Sequence, residues 1–224
     1  MERILEPELM DEENQARAYS EADFSEPHNM FVDEFRQTFP EQKIGGHVLD
    51  LGCGPADVTV RFAKAFPESK IEAIDGAEAM LQYGQQRIEH ERLTDQITLI
   101  HEILPATTRL RQQYDVIISN SLLHHLADPA TLWDTIRHKC ADNGSVFIMD
   151  LMRPASQQQA KQFVELYASN EPEVLQRDFF YSLLAAHRPN EVGTQLEKAG
   201  LDWLSVKALT DRHLVIFGQR AVCT

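Results

Sequence analysis

The segment Val48-Leu49-Asp50-Leu51-Gly52-Cys53-Gly54-Pro55-Ala56-Asp57 places a carboxylate near the end of an apolar run and two glycines just beyond it. Glycine lets a backbone approach a ligand closely and adopt φ values closed to other residues. A dinucleotide fingerprint would need a third glycine where Asp57 stands. Asp50 would repel a diphosphate and attract an ammonium group, so the segment suits a nucleoside with a cationic tail better than a nicotinamide dinucleotide. A second acid, in Ile74-Asp75-Gly76, closes another apolar run, where a carboxylate can accept hydrogen bonds from ribose hydroxyls. His124-His125 offers an imidazole that titrates near neutrality and so a candidate general base, with packing as the alternative role. Neighbours on a helix point about 100° apart, so only one of the pair is expected to act. Arg153 is a candidate clamp for a carboxylate or phosphate, or else one half of an ion pair. Cys53 has no base beside it and reads as a small wall residue. The nine histidines show no metal-ligand spacing, and no metal is expected.

The elements that must position these groups alternate. Strand-like runs at 47–51, 70–74, 97–100, 114–119 and 144–150 are separated by helical patterns at 58–66, 77–87 and up to about 139. Asp128-Pro129 suits the start of the last of these, as cap and first-turn proline. Alternation of this kind implies a doubly wound, mostly parallel sheet. Helical patterns follow at 156–168, 172–186 and 189–198, the last closed by Gly200. Runs at 204–208 and 213–218, joined by Thr210-Asp211-Arg212, predict an antiparallel edge hairpin and a seven-stranded α/β sheet. A helical N-terminal arm precedes the first strand, with Phe31, Phe35 and Phe39 four residues apart as a core-facing stripe. Residues 1–43 are expected to form an arm or lid, 44–224 the sheet domain, and 156–188 a helical cover over the substrate.

The chain has 224 residues, which suits one domain with an appended lid. With 21 Lys+Arg against 35 Asp+Glu its formal charge is −14, and polynucleotide partners are disfavoured because phosphate contacts need a basic surface. Three cysteines, Cys53, Cys140 and Cys223, make no disulfide framework and suit a reducing compartment. The acidic N-terminus does not read as a signal peptide, and no apolar run has the ~18–20 residues of a membrane span. A cytoplasmic protein, monomer or homodimer, is expected.

Three segments together resemble the class I S-adenosylmethionine-dependent methyltransferases over about residues 44–154. LDLGCGPAD is similar to that family's first motif, AIDGAEAML to its second, and YDVIISNSLLHHLADP to its fourth-strand region. The resemblance implies S-adenosyl-L-methionine as cofactor, S-adenosyl-L-homocysteine as product and methyl transfer to a small molecule. It puts Asp50 at the methionine ammonium, Gly52, Cys53 and Gly54 along the methionine, Asp75 on the ribose diol, and Gly76 and Met80 beside the adenosine. Asn120 would offer its carbonyl to the ammonium, with Ser121 and Leu122 around the reactive centre. Two departures stand out. Ala56 replaces a glycine common in the family, and His101-Glu102-Ile103-Leu104 replaces Asp-Ala at the adenine, leaving Glu102 and Ile103 as the aligned contacts. Tyr19 in the arm and Tyr181 in the cover join Arg153 as candidate substrate contacts. Asn120-Ser121-Leu122-Leu123 does not resemble the signature of enzymes that methylate amino groups of bases or glutamine, which favours small acceptors. A protein that binds this cofactor without transferring methyl groups is the alternative.

Overall fold

A computed structural model describes residues 1–6 and 11–221; Cys223 lies outside the described residues. Among the described residues seven strands form one sheet: β1 (His47–Leu51), β2 (Lys70–Asp75), β3 (Ile97–His101), β4 (Tyr114–Asn120), β5 (Cys140–Leu151), β6 (Ser205–Ala208) and β7 (His213–Gln219). Their spatial order is β3-β2-β1-β4-β5-β7-β6. The first five pair in parallel, and β7 is antiparallel to both β5 and β6. The expected hairpin is therefore present, but its second strand is inserted beside β5 and its first forms the edge. The four-residue length and exposure of β6 suit an edge, where long apolar strands invite further pairing.

The helices are α1 (Glu13–Glu21), α2 (Ser25–Thr38), α3 (Asp57–Ala65), α4 (Glu78–His90), α5 (Ala130–Lys139), α6 (Gln157–Tyr167), α7 (Glu173–Ala185) and α8 (Pro189–Ala199). Asp128 accepts from Ala130 N at 3.0 Å ahead of α5, whose cap position is taken by Pro129 and not by the aspartate, while Ser156 caps α6 through Gln159 N and Gly200 closes α8 at φ +67°. The strand β5 starts earlier than 144 because its pairing with β4 shifts between Tyr114 and Val116, with Asn143 at φ +61°. Such a bulge adds residues to one strand without ending it.

Strand side chains alternate between two apolar layers. Val48, Ile71 and Val116 pack with Phe35 of α2, Phe62 of α3 and Ile88 of α4. Leu49, Ile74 and Ile117 pack with Trp133 and Ile136 of α5 and Leu196 of α8. Burial on both faces explains why these strands are continuous apolar runs. Phe31 and Phe35 meet Phe147 and Phe62 edge-on at 5.1 and 4.9 Å, so α2 belongs to the core. Leu183 and Leu184 of α7 form a separate cluster with Ala160 and Phe163 of α6. No helix among the described residues is long and apolar enough to cross a membrane.

Asp57 opens α3 and ties the arm to the sheet. It contacts His28 Nδ1 of α2 at 2.5 Å, Arg61 Nε at 2.9 Å and Arg87 Nη1 of α4 at 2.8 Å. Arg87 also donates to Ser20 O in α1 and to Pro55 O in the turn after β1. Burial would raise the Asp57 pKa, but the hydrogen bonds from His28 and Arg61 outweigh it and hold the carboxyl well below its usual range. A depressed folded-state pKa stabilises the fold above the ordinary carboxylate pKa, and that stability is lost as pH falls through the folded value. Asp57→Asn is expected to cost about 2 kcal/mol at neutral pH, the order of a charged hydrogen-bond network. Urea titrations of both proteins should show this gap closing in strong acid.

Candidate active site

The carboxyl ends of the parallel strands meet at one edge, where ligands of such sheets bind. A cavity of about 390 Å³ opens there, between the turns after β1, β2 and β4 and residues of α1 and α7. Its floor is the turn after β1. Gly52 N and Cys53 N both donate to Ile74 O at 2.9 Å, which holds the turn against β2. Gly52, Gly54 and Ala56 all have positive φ, at +72°, +52° and +60°. A side chain on Gly52 would meet Leu122 Cδ1 at 2.8 Å, whereas one on Gly54 would enter open space. Ala56 keeps the left-handed conformation despite its methyl group, which is fully buried.

Two carboxylates flank this turn. Asp50 is buried and accepts from Thr59 Oγ1 at 2.6 Å. Desolvation pushes its pKa up to about 7, against the Thr59 hydrogen bond and helped by the charge of Asp75. Asp75 accepts from Gly54 N and Ala77 N, both at 2.8 Å, one on each oxygen. Burial raises its pKa while these backbone donors oppose the rise. An ionised carboxylate has about four acceptor positions, so two backbone bonds leave room for ligand hydroxyls. The Cys53 thiol is pushed well up by burial, as a wall residue's would be.

Asn120, Ser121 and Leu122 form the opposite wall. Asn120 Oδ1 is buried with no hydrogen-bond partner among the described residues. A buried unpaired carbonyl costs about 1–3 kcal/mol, a cost that a ligand N–H would remove. Gly76, Met80, Glu102 and Ile103 line the cavity too, and Ile103 is 51% exposed at the rim. Tyr19 closes the arm side, stacked on Phe24 at 5.7 Å between ring centres. Burial raises its phenol pKa, so the hydroxyl stays protonated.

The histidine pair departs from the helical expectation. Residues 123–125 form a turn, and both imidazoles lie on one side with ring centres 4.2 Å apart. His124 is buried, its Nδ1 2.5 Å from Asp150 Oδ1. Burial lowers the His124 pKa, but the attraction of Asp150 and their hydrogen bond outweigh it and raise it. Asp150 also accepts from Leu123 N at 2.7 Å, which fixes the turn to β5.

Two expected substrate contacts lie elsewhere. Arg153 is buried beside α8, with its guanidinium on Glu191 and Ala186 O, and is not part of the cavity lining. It is the ion-pair residue of the two readings, because an arginine taken out of water must find acceptors. Tyr181 is 49% exposed outside the cavity, while Phe179 and Ser182 of the same helix line it. The aromatic run 179–181 spans more than one helix face, and its sequence does not say which faces inward. Other residues around the site carried no sequence signal. Glu6 approaches both histidines, and Arg3 donates to His124 O and Leu126 O at 2.9 Å. The guanidinium of Arg212 in the β6–β7 loop stacks 3.3 Å from the Tyr167 ring centre.

Gly52→Ala is expected to lower stability by about 1–3 kcal/mol, as overpacking does. The double variant Gly52→Ala/Leu122→Ala should recover only a minor part of that loss in urea unfolding, because Leu122 Cβ stays 2.9 Å from the new methyl and φ stays at +72°.

Residues 49–146 match a family model described as a methyltransferase domain. Over 151 residues the chain is 26% identical to trans-aconitate 2-methyltransferase of Yersinia pestis, covering 62% of this chain and 56% of that protein. Over 79 residues it is 39% identical to malonyl-[acyl-carrier protein] O-methyltransferase of Bacillus cereus, covering 35% of this chain and 28% of that one. The matches thus span about half or less of these curated relatives. Among solved structures, an S-adenosyl-L-methionine-dependent methyltransferase of Methanococcus maripaludis superposes with a TM-score of 0.69 at 15% identity, over 99% of both chains. The plantazolicin methyltransferase complexed with a triazolic analogue and SAH superposes at 0.68 and 14% identity, over 93% of this chain and 92% of that one. At such identities the likeness is one of fold.

Proposed function

We propose methyl transfer from S-adenosyl-L-methionine to a small-molecule acceptor, for a chain that shares the fold of S-adenosylmethionine-dependent methyltransferases and matches a methyltransferase-domain model over residues 49–146. One observation carries this reading. Asp50 and Asp75 flank a glycine turn whose backbone, at Gly54, faces open space in the cavity. The residues present fit the cofactor. Asp50 and the unpaired Asn120 Oδ1 suit its ammonium, and Gly52, Cys53 and Gly54 leave room for the methionine chain. Asp75 has acceptor positions for the ribose hydroxyls. Gly76, Met80, Glu102 and Ile103 form the adenine side. Bound there, the cofactor supplies a sulfonium methyl that already carries its leaving group.

The protein's part is alignment and exclusion of water. Tyr19 of α1 closes the cavity from the arm side, and Phe179 and Ser182 of α7 cover it from the other. Ser121 and Leu122 border the reactive centre. Where the acceptor must lose a proton, His124 and His125 face the cavity to accept it, and Asp150 orients His124 through Nδ1. The free thiols of Cys53 and Cys140 and the acidic surface suit a cytoplasmic protein acting on metabolites rather than on nucleic acid, as a monomer or homodimer.

Calorimetric titration with S-adenosyl-L-homocysteine tests the cofactor reading. Wild type should bind with micromolar affinity, and Asp75→Ala should weaken binding at least ~10-fold, the scale of lost charge-assisted hydrogen bonds. Absence of binding to wild type would sink the proposal. Burial disfavours the Asp50 carboxylate, so raising the pH through about 7 ionises it and should tighten binding of the ammonium. Asp50→Asn should flatten that pH dependence. Label transfer from methyl-labelled cofactor should then be tried first on trans-aconitate and a malonyl thioester. Binding without transfer to any acceptor would favour a cofactor-binding protein that moves no methyl group.

A further inference from the structure

Glu6 approaches His124 and His125, two residues that line the cavity, at ion-pair distances longer than an ordinary charge-assisted hydrogen bond. Glu6 Oε1 lies 3.5 Å from His124 Nε2 and 3.4 Å from His125 Nδ1. One donor atom from each residue falls within 4.8 Å of the others. Two ligands on one tetrahedral zinc, with bonds of about 2.0–2.1 Å, sit roughly 3.3–3.4 Å apart. The two distances to Glu6 thus fit ligands sharing one cation. Among the described residues, Glu6 Oε1 is buried with no hydrogen-bond partner.

The supporting contacts also suit a metal. A ligating histidine usually donates its other ring N–H to a carboxylate, which fixes the tautomer and turns the free nitrogen toward the ion. Asp150 Oδ1 holds His124 Nδ1 at 2.5 Å and leaves Nε2 toward Glu6. Ser182 Oγ holds the second Glu6 oxygen at 3.3 Å. Arg3 pins the turn through His124 O and Leu126 O. Two imidazoles and one carboxylate suit zinc, cobalt or ferrous ions better than magnesium or calcium, which prefer all-oxygen shells. Such a set leaves coordination positions open, and both histidines border the cavity.

We propose that Glu6, His124 and His125 bind a divalent transition-metal ion whose open positions face the acceptor side of the cavity. Its role in the reaction rests on the methyltransferase reading. There the ion would hold an acceptor oxygen, a hydroxyl or a carboxylate, and as a Lewis acid would favour the deprotonated form of a hydroxyl, its proton passing to solvent water. The histidines would then serve as ligands rather than bases.

The test uses the full chain, stripped with a chelator and dialysed. Zinc is titrated by calorimetry and cobalt by visible absorption, against wild type, Glu6→Gln and His125→Ala, with thermal unfolding to verify that each variant is folded. One cation per chain, a cobalt ligand-field spectrum, and at least ~10-fold weaker zinc binding in both variants are expected. Lack of the spectrum, or equal zinc affinity in all three proteins, overturns the site. Titration of the same samples with S-adenosyl-L-homocysteine separates the two readings. Cofactor binding without metal binding overturns the metal site and leaves the transferase. Metal binding without cofactor binding supports the site and removes its place in methyl transfer.

Discussion

Carboxylates that leave water must be matched, and three of them stand where strands of the sheet end. Asp50, Asp75 and Asp150 lie at the carboxyl ends of β1, β2 and β5. Each is matched differently, and the differences build the site. Asp150 takes Leu123 N, Leu151 N and His124, so it is held ionised and fixes the turn after β4. Asp75 takes the backbone of two adjoining turns and keeps acceptor positions to spare. Asp50 has one hydroxyl partner and is left poised near neutrality. The least compensated carboxylate, Asp50, borders the cavity.

The same edge explains why the N-terminal arm matters. The sheet and its turns make a floor and one wall. The rest of the enclosure comes from α1 and α2, anchored by Asp57, and from α6 and α7. Asp57 stands where a dinucleotide-binding turn would have glycine, and here it opens α3 and gathers His28, Arg61 and Arg87. One residue thus argues against a diphosphate ligand and joins the arm to the helices that border the site.

Much of the floor was legible in the order of residues. The glycine turn, the acids at 50 and 75, Asn120 and the alternation of strands and helices are local patterns. The expected cofactor positions all line the cavity. The cover was legible as helices but not by orientation: Phe179 faces in and Tyr181 faces out, and the run reads the same either way. Arg153 was indistinguishable from a substrate clamp until Glu191 and Ala186 O were found around its guanidinium. The histidine pair was placed on a helix, where it would diverge; the turn at 123–125 makes it converge.

The sequence alone determined the α/β class, the strand-by-strand alternation and the glycine turn after β1. Periodicity and glycine placement act within a few residues, and such information is complete in a short window. The tertiary structure decided which distant groups meet. It inserted β7 between β5 and β6, turned Arg153 inward to α8, and brought Glu6 against His124 and His125. No local rule relates those positions, because their proximity depends on how layers, turns and the N-terminal segment pack together.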